Sequence, residues 1–368
     1  MFCTTCGDWN PDTAQFCTQC GGRLGGKLPA DAGQFVGSFM DRLQKMASTG
    51  KLEGFSLSAM FSEVFRKRST EEIEEYFLTG TTKATPPIDQ VQTGWPKPWF
   101  FFRVLVFVAV LSAGFYYAST LFQNRKMIPG LIMMGTLTMP MATLVLFFEL
   151  NSPRNVPLYR LIMLFLYGGV VSLLVSLAGF EMANLNWLGA SSAGIVEEIG
   201  KLLTVVVLCR QAKYKYILNG LLFGAAVGAG FSAFESAGYA FSRLLDTNSM
   251  EAMVSIMTTR AFLAPFGHVP GTAIAAGALW RTKGNRPLSV TMLGDPQFLK
   301  AFSIPVILHM IWNAPIPMPF HIVQLSMGII GWIVVFGLVQ QGLQEVREEQ
   351  QQTARKILLQ KTQSGGSR

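Results

Sequence analysis

The sequence predicts an all-α protein, a polytopic bundle of about eight transmembrane helices with a small cysteine-rich module at its N-terminus. Three observations predict it. Half of the 368 residues are apolar and only 14% are charged. Windows of about 20 residues, the length needed to cross a bilayer, recur along the chain from Phe100 onward. Two Cys-x2-Cys pairs fall within the first 20 residues. The resulting organisation is an N-terminal module over 1–24, a linker with short helices over 25–98, a transmembrane domain over 99–341 and a tail over 342–368.

The module reads Cys3-Thr-Thr-Cys6, ten residues, then Cys17-Thr-Gln-Cys20, with Gly7 and Gly21 directly after each pair. Two such knuckles bring four thiolates to one tetrahedral zinc, and the glycines let backbone amides turn toward the sulfurs, so the spacing predicts a zinc ribbon. No basic and apolar leader opens the chain, which places the N-terminus in the cytoplasm, where disulfides are disfavoured. With cysteine at all four positions the zinc keeps no open site. The ribbon therefore reads as a structural or partner-binding element without chemistry of its own. Cys209, at the end of the fourth predicted span, reads as a packing residue.

In the linker, Ser69-Thr70-Glu71-Glu72 has the form of a capping box and starts a short acidic helix that ends before Gly80. Phe35, Phe39, Leu43 and Met46 recur at helical spacing, a pattern open to a membrane surface, a partner or simple packing. Residues 85–98 are proline-rich and extended. The predicted spans follow, at 100–121, 129–150, 159–180, 187–208, 217–241, 261–280, 301–318 and 321–339. The polar tail after Gln340 is expected to be helical through Gln360.

The net charge of +8 is a matter of topology here, and no nucleic acid is expected. With a cytoplasmic N-terminus, Arg154, Arg210, Lys213, Lys215, Arg281, Lys283, Arg286 and Lys300 lie in inner loops, and Arg355, Lys356 and Lys361 in the tail. Only Arg125, Lys126, Arg243 and Arg260 face outward. The positive-inside rule is satisfied, and eight spans return the C-terminus to the cytoplasm.

Glu197 and Glu198 interrupt the fourth span, with Lys201 one turn on. A charge at the centre of a membrane helix costs roughly 2.5–3.5 kcal/mol on insertion scales, so such residues mark function. Glu235 interrupts the fifth span, His268 the sixth, and His309 with Asn313 the seventh. Counted from the outer end of each span at about 1.5 Å per residue, Glu198 lies about 16 Å deep and the others about 9–14 Å. Four helices of alternating direction thus place these groups in one layer. The four-residue spacing of Glu197 and Lys201 predicts an ion pair that leaves Glu198 facing elsewhere as the better water-activating base. His309 and Asn313, like His268 and Thr272, have the spacing at which an oxygen can orient an imidazole. Gly220, Gly224 and Gly228 line one face of the fifth span and permit a close helix approach, as Gly267 and Gly271 do beside His268.

Glu197-Glu198-Ile-Gly-Lys201, Gly230-Phe231-Ser-Ala-Phe234-Glu235 with Tyr239, Ala261-Phe-Leu-Ala-Pro-Phe-Gly-His268 and His309-Met-Ile-Trp312-Asn313 follow one another on successive helices. In this order the segment 129–339 resembles the PrsW family of intramembrane proteases, which is similar in its motifs to the CAAX-processing and bacteriocin-immunity type proteases. The resemblance implies an intramembrane endopeptidase, Glu197, Glu198, Glu235, His268, His309 and Asn313 as its catalytic residues, and a membrane-anchored protein such as an anti-sigma factor as substrate. It implies action near the outer face of a prokaryotic plasma membrane. It does not cover the ribbon.

Two mechanisms are open. In one, His268, His309 and Glu235 hold a catalytic zinc while Glu198 or Glu197 takes the proton from water. In the other, a glutamate activates water directly, and His309 with Asn313 holds the oxyanion. The competing classes are a non-catalytic membrane scaffold with a protease-like core and a proton-coupled transporter. A transporter is disfavoured by the absence of an obvious inverted repeat and by the confinement of polar residues to the second half of the bundle. Replacing Cys3 and Cys6 with Ser is expected to remove one zinc per chain, measured by elemental analysis, and to leave cleavage by the membrane core largely intact.

Overall fold

A computed structural model describes residues 30–50, 52–81 and 83–365. The four cysteines of the predicted ribbon, Cys3, Cys6, Cys17 and Cys20, lie outside the described residues. The chain divides into two compact units, residues 1–45 and 46–368, and the second contains the whole bundle.

Every regular element among the described residues is helical. Helix α1 (Ala30–Ala47) covers the predicted amphipathic stretch. The short α2 (Leu57–Met60) precedes α3 (Thr70–Phe77), which opens on the expected capping box. Glu72 N–H donates to Ser69 Oγ and Ser69 N–H donates to the Glu72 carboxylate, both at 3.2 Å. The bundle consists of α4 (Phe100–Leu121), α5 (Ile128–Leu150), α6 (Leu158–Met163), α7 (Gly169–Ala183), α8 (Ala193–Leu208), α9 (Ile217–Thr247), α10 (Met250–Leu263), α11 (His268–Lys283), α12 (Pro296–Trp312) and α13 (Ile322–Gly365). A π-helical turn over Leu164–Gly168 joins α6 to α7.

Six of these segments are long and apolar enough to cross a membrane: 100–121, 125–150, 158–183, 217–247, 250–283 and 319–360. The fourth predicted span is shorter than expected, folding as α8 of 16 residues, and the seventh is displaced, folding as α12 of 17 residues over Pro296–Trp312 where 301–318 was expected. At about 1.5 Å per residue these reach only about 25 Å, short of a hydrocarbon core of about 30 Å. Gly189, at φ 54°, breaks the chain before α8, and the Pro315, Pro317 and Pro319 run follows α12. The sixth predicted span is also interrupted. Ala264–Phe266 forms a 3₁₀ turn, and α11 restarts at His268. His268 therefore stands at a helix start, where Pro265 and Pro270 cost no helical hydrogen bond.

Helix α9 is the axis of the bundle, buried on every side from Ile217 to Ala233. Glycine sets how close its neighbours come. A Cβ on Gly220 would lie 2.6 Å from Trp280 Cβ, one on Gly228 would lie 2.6 Å from the His268 carbonyl oxygen, and one on Gly224 would overlap the Thr272 carbonyl. This face seats α11, and with it His268, directly on α9. The opposite face seats α7, because Gly230 and Gly169 meet backbone to backbone. Helix α8 is placed in the same way. A Cβ on Gly200 would lie 2.5 Å from Ser176 Oγ in α7, and one on Gly194 would lie 2.6 Å from the Met310 amide in α12.

Helix ends buried in the bundle borrow side chains from other elements, as an unpaired amide in an apolar medium demands. The Glu149 carboxylate accepts from Trp99, Phe100 and Phe101 N–H at 2.7–2.8 Å and so caps α4. Glu345 of α13 accepts from Ile217 N–H at the start of α9, at 2.8 Å. Asn219 bridges Asn151 and Asn155 at 3.0 and 2.6 Å.

Gly224→Leu is expected to lower the thermal midpoint in detergent strongly, since four extra carbons must displace a backbone carbonyl, an overpacking cost of about 1–3 kcal/mol or more. Gly114→Leu on α4, where a Cβ meets nothing within 4 Å, is expected to leave the midpoint nearly unchanged.

Candidate active site

The predicted layer of polar residues closes into one cluster. Helix α8 supplies Glu197, Glu198 and Lys201, α9 supplies Glu235, the start of α11 supplies His268 and the last turn of α12 supplies His309. Lys201 is wholly buried, and the glutamate pair is nearly so, with Glu198 2% exposed.

The ion pair differs from the expected one. Lys201 Nζ donates to Glu198 Oε1 at 2.6 Å, while Glu197 Oε2 is 4.0 Å away. The reason is rotation: three residues on a helix advance about 300°, which faces Lys201 to Glu198 as readily as a four-residue step faces it to Glu197. Lys201 also reaches His268 Nδ1 at 3.0 Å and lies 4.5 Å above the centre of the Phe231 ring. Glu198 Oε1 takes a second bond, from His309 Nδ1 at 2.9 Å. Its Oε2 has no hydrogen-bond partner and borders an apolar pocket walled by Pro270, Pro305 and Leu308.

Both imidazoles are gripped on one side. His309 Nδ1 faces Glu198, and His268 Nε2 faces Glu235 at 3.0 Å. A neutral ring with its proton toward the carboxylate leaves the other nitrogen's lone pair free. Of those second nitrogens, His268 Nδ1 meets Lys201 Nζ and His309 Nε2 makes no hydrogen bond among the described residues; they approach Glu197 Oε2 at 3.9 and 3.8 Å. Glu197 Oε2 is itself buried without a hydrogen-bond partner. One ligand atom from each of Glu197, His268 and His309 lies within 4.8 Å of the others, and among the described residues this is the group whose spacing could hold a metal ion.

The expected metal set named Glu235 with the two histidines, and the geometry brings Glu197 to them instead. Glu235 is occupied by a contact that sequence reasoning missed. The Arg260 guanidinium donates to its carboxylate, and also to Ser236 Oγ at 3.1 Å, while lying 4.1 Å above the Tyr239 ring centre. The available signal was an arginine, Arg260, directly before the sixth predicted span, close in expected depth to the carboxylate of Glu235. Thr272 also departs from expectation, because its hydroxyl donates to the His268 carbonyl at 2.9 Å and not to the ring. Asn313 ends α12, its N–H donating to the His309 carbonyl at 3.2 Å.

Glu197, Glu235, His268, His309 and Asn313 share one cleft of about 560 Å³, with Arg260 and Tyr239 at its rim. Glu198 lies behind it. The cleft thus combines a carboxylate oxygen without partners, two oriented imidazoles, an amide and a cation, the groups needed to activate water and stabilise a developing negative charge.

Lys201→Met is expected to destabilise the protein by about 3–5 kcal/mol, since it leaves Glu198 buried and unpaired. The double change Lys201→Met with Glu198→Gln is expected to recover part of that loss, measured by thermal unfolding in detergent.

The family model described as PrsW family intramembrane metalloprotease matches residues 156–339, and a zinc-ribbon domain model matches residues 2–24. No curated protein and no solved structure matches the chain.

Proposed function

The chain belongs to the PrsW family of intramembrane metalloproteases, and from that premise we propose that its cluster of carboxylates and imidazoles hydrolyses a peptide bond of a membrane-anchored protein such as an anti-sigma factor. The observation that carries the reading is the meeting of Glu197, His268 and His309 within 4.8 Å at the wall of an open cleft. The setting we propose is the plasma membrane of a prokaryote, with both termini cytoplasmic, as the distribution of Lys and Arg supports.

The residues fit a zinc ion. Two imidazoles with one carboxylate is a donor set zinc uses at catalytic sites with an open position, and Glu197 Oε2 is a buried oxygen awaiting a partner. His268, His309 and Glu197 would hold the ion, which when bound supplies Lewis acidity and lowers the pKa of water. The remaining roles belong to the chain. Glu197 faces the cleft as a ligand in this reading, and it is assigned the proton of the attacking water, the role the sequence assigned first to Glu198, only in the metal-free reading below. Glu198 takes His309 Nδ1–H and Lys201 on one oxygen, which holds the ring and balances the buried charge. Glu235, steadied by Arg260, holds His268 in the same way. Asn313, which lines the cleft, is assigned stabilisation of the oxyanion.

A second reading keeps the cluster metal-free, with Glu197 activating water directly. It is favoured by one contact: Lys201 Nζ occupies the lone-pair side of His268 Nδ1 at 3.0 Å, where a cation would otherwise coordinate.

The test uses proteoliposomes with a panel of single-pass peptides carrying varied outer juxtamembrane sequences. Glu197→Gln, His268→Ala and His309→Ala are each expected to lower cleavage by roughly 100-fold or more while preserving the folded bundle, and normal cleavage by them would refute the assignment. Metal content of the full chain with Cys3, Cys6, Cys17 and Cys20 all changed to Ser separates the readings. Retained zinc supports the metal centre, and activity without zinc supports direct activation.

A further inference from the structure

We propose that the apolar groove between α5 and the α6–α7 segment is the docking site for the transmembrane helix of the substrate. This rests on the protease reading above and names where its substrate lies. The groove has a volume of about 680 Å³ and is almost wholly apolar, and α9 forms its floor. Its α5 wall runs from Ile128 to Phe148, 21 residues, or about 30 Å at the helical rise, which is the thickness of a hydrocarbon core. A surface of that length and chemistry fits one face of a membrane-spanning helix.

Small residues open part of the floor to close approach. Ala233, Ala237 and Gly238 line it between Phe234 and Phe241, and a Cβ on Gly238 would meet nothing within 4 Å, so the space above this glycine is empty. Small residues are what helices in a membrane pack against when no hydrophobic force drives them together.

Continuity with the cleft identifies the occupant. Helix α7 is pressed onto α9 where Gly169 meets Gly230. Further along, Leu173 and Leu177 face a recess over Phe234, Gly238 and Tyr239. That recess shares Phe234 and Gly238 with the groove, and Leu173, Leu177, Glu235 and Tyr239 with the cleft that holds Glu197 and the histidines. A helix in the groove that unwinds beside Gly238 passes between Leu177 and Tyr239 to the acidic cluster. A lipid chain would fill the groove without needing that passage.

Two measurements test the proposal in the full-length protein. In the first, the Glu197→Gln chain is reconstituted with a lysine-flanked peptide of about 20 leucine and alanine residues carrying one central cysteine. Disulfide formation is expected roughly tenfold more often with Leu137→Cys in the groove than with Val110→Cys on the exposed face of α4. Equal capture at the two positions, or capture at Leu137→Cys of only a photoreactive phospholipid or a second copy of this chain, would overturn it.

In the second, Gly238→Trp fills the groove and Gly114→Ala, on α4 outside it, adds a methyl in open space. Gly238→Trp is expected to lower kcat/KM roughly tenfold for a cleaved single-pass peptide, through KM, and to spare a water-soluble peptide with the same scissile sequence; Gly114→Ala is expected to spare both. Equal loss with the soluble peptide overturns the groove. Groove cross-linking with no cleavage of either peptide by the unmodified chain overturns the protease reading and leaves the groove standing.

Discussion

A charged amine with no water around it must be surrounded by acceptors, and Lys201 is such an amine. Its bonds to Glu198 on its own helix and to His268 tie α8 to α11 at one point. Glu198 passes the connection to His309 on α12, and His268 passes it to Glu235 on α9 and on to Arg260 on α10. The network leaves one oxygen, Glu197 Oε2, near both histidines and bonded to neither. Glu198 Oε2 is also without a partner but faces the apolar pocket, so Glu197 Oε2 is the open acceptor at the cleft, poised for a ligand because low dielectric makes a missing partner expensive to leave out.

The scaffold that holds this network is as demanding as the network. Three glycines along α9 let α11 settle until backbone nearly touches backbone, and the same contacts fix the height of His268. Gly194 and Gly200 do the same for α8 between α12 and α7. Each glycine gives up side-chain packing for distance, and the distances bring carboxylates and imidazoles from separate helices into hydrogen-bond range. The short α8 and α12 suit the arrangement, since they carry the glutamates and His309 and end in breaks outside the regular bundle. Further along α9, Ala233, Ala237 and Gly238 with Phe234 and Phe241 floor an open groove whose α5 wall is as long as the membrane is thick.

Much of this was legible in the sequence because the signals are local. Hydropathy windows found the helices, a capping box placed α3, and charges in apolar runs identified Glu197, Glu198, Glu235, His268 and His309 as one set. The Cys-x2-Cys pairs predict a zinc ribbon by spacing, and a zinc-ribbon domain model matches residues 2–24. The length of α8 and the position of α12 were misjudged because a hydropathy window does not register a backbone break at Gly189 or where a run of prolines ends a helix.

The identity of the polar set follows from the cost of charge in hydrocarbon, a property each residue carries wherever the helix turns. Which glutamate holds Lys201, which carboxylate joins the histidines, and Arg260's hold on Glu235 depend on helix rotation and on contacts between residues 25 or more positions apart. A shift of one residue turns a helix by about 100°, so periodicity placed the residues in a layer but left their partners open. Only the packing of α8, α9, α11 and α12 decided them, because the glycine contacts that set rotation and height exist between helices and not within any one.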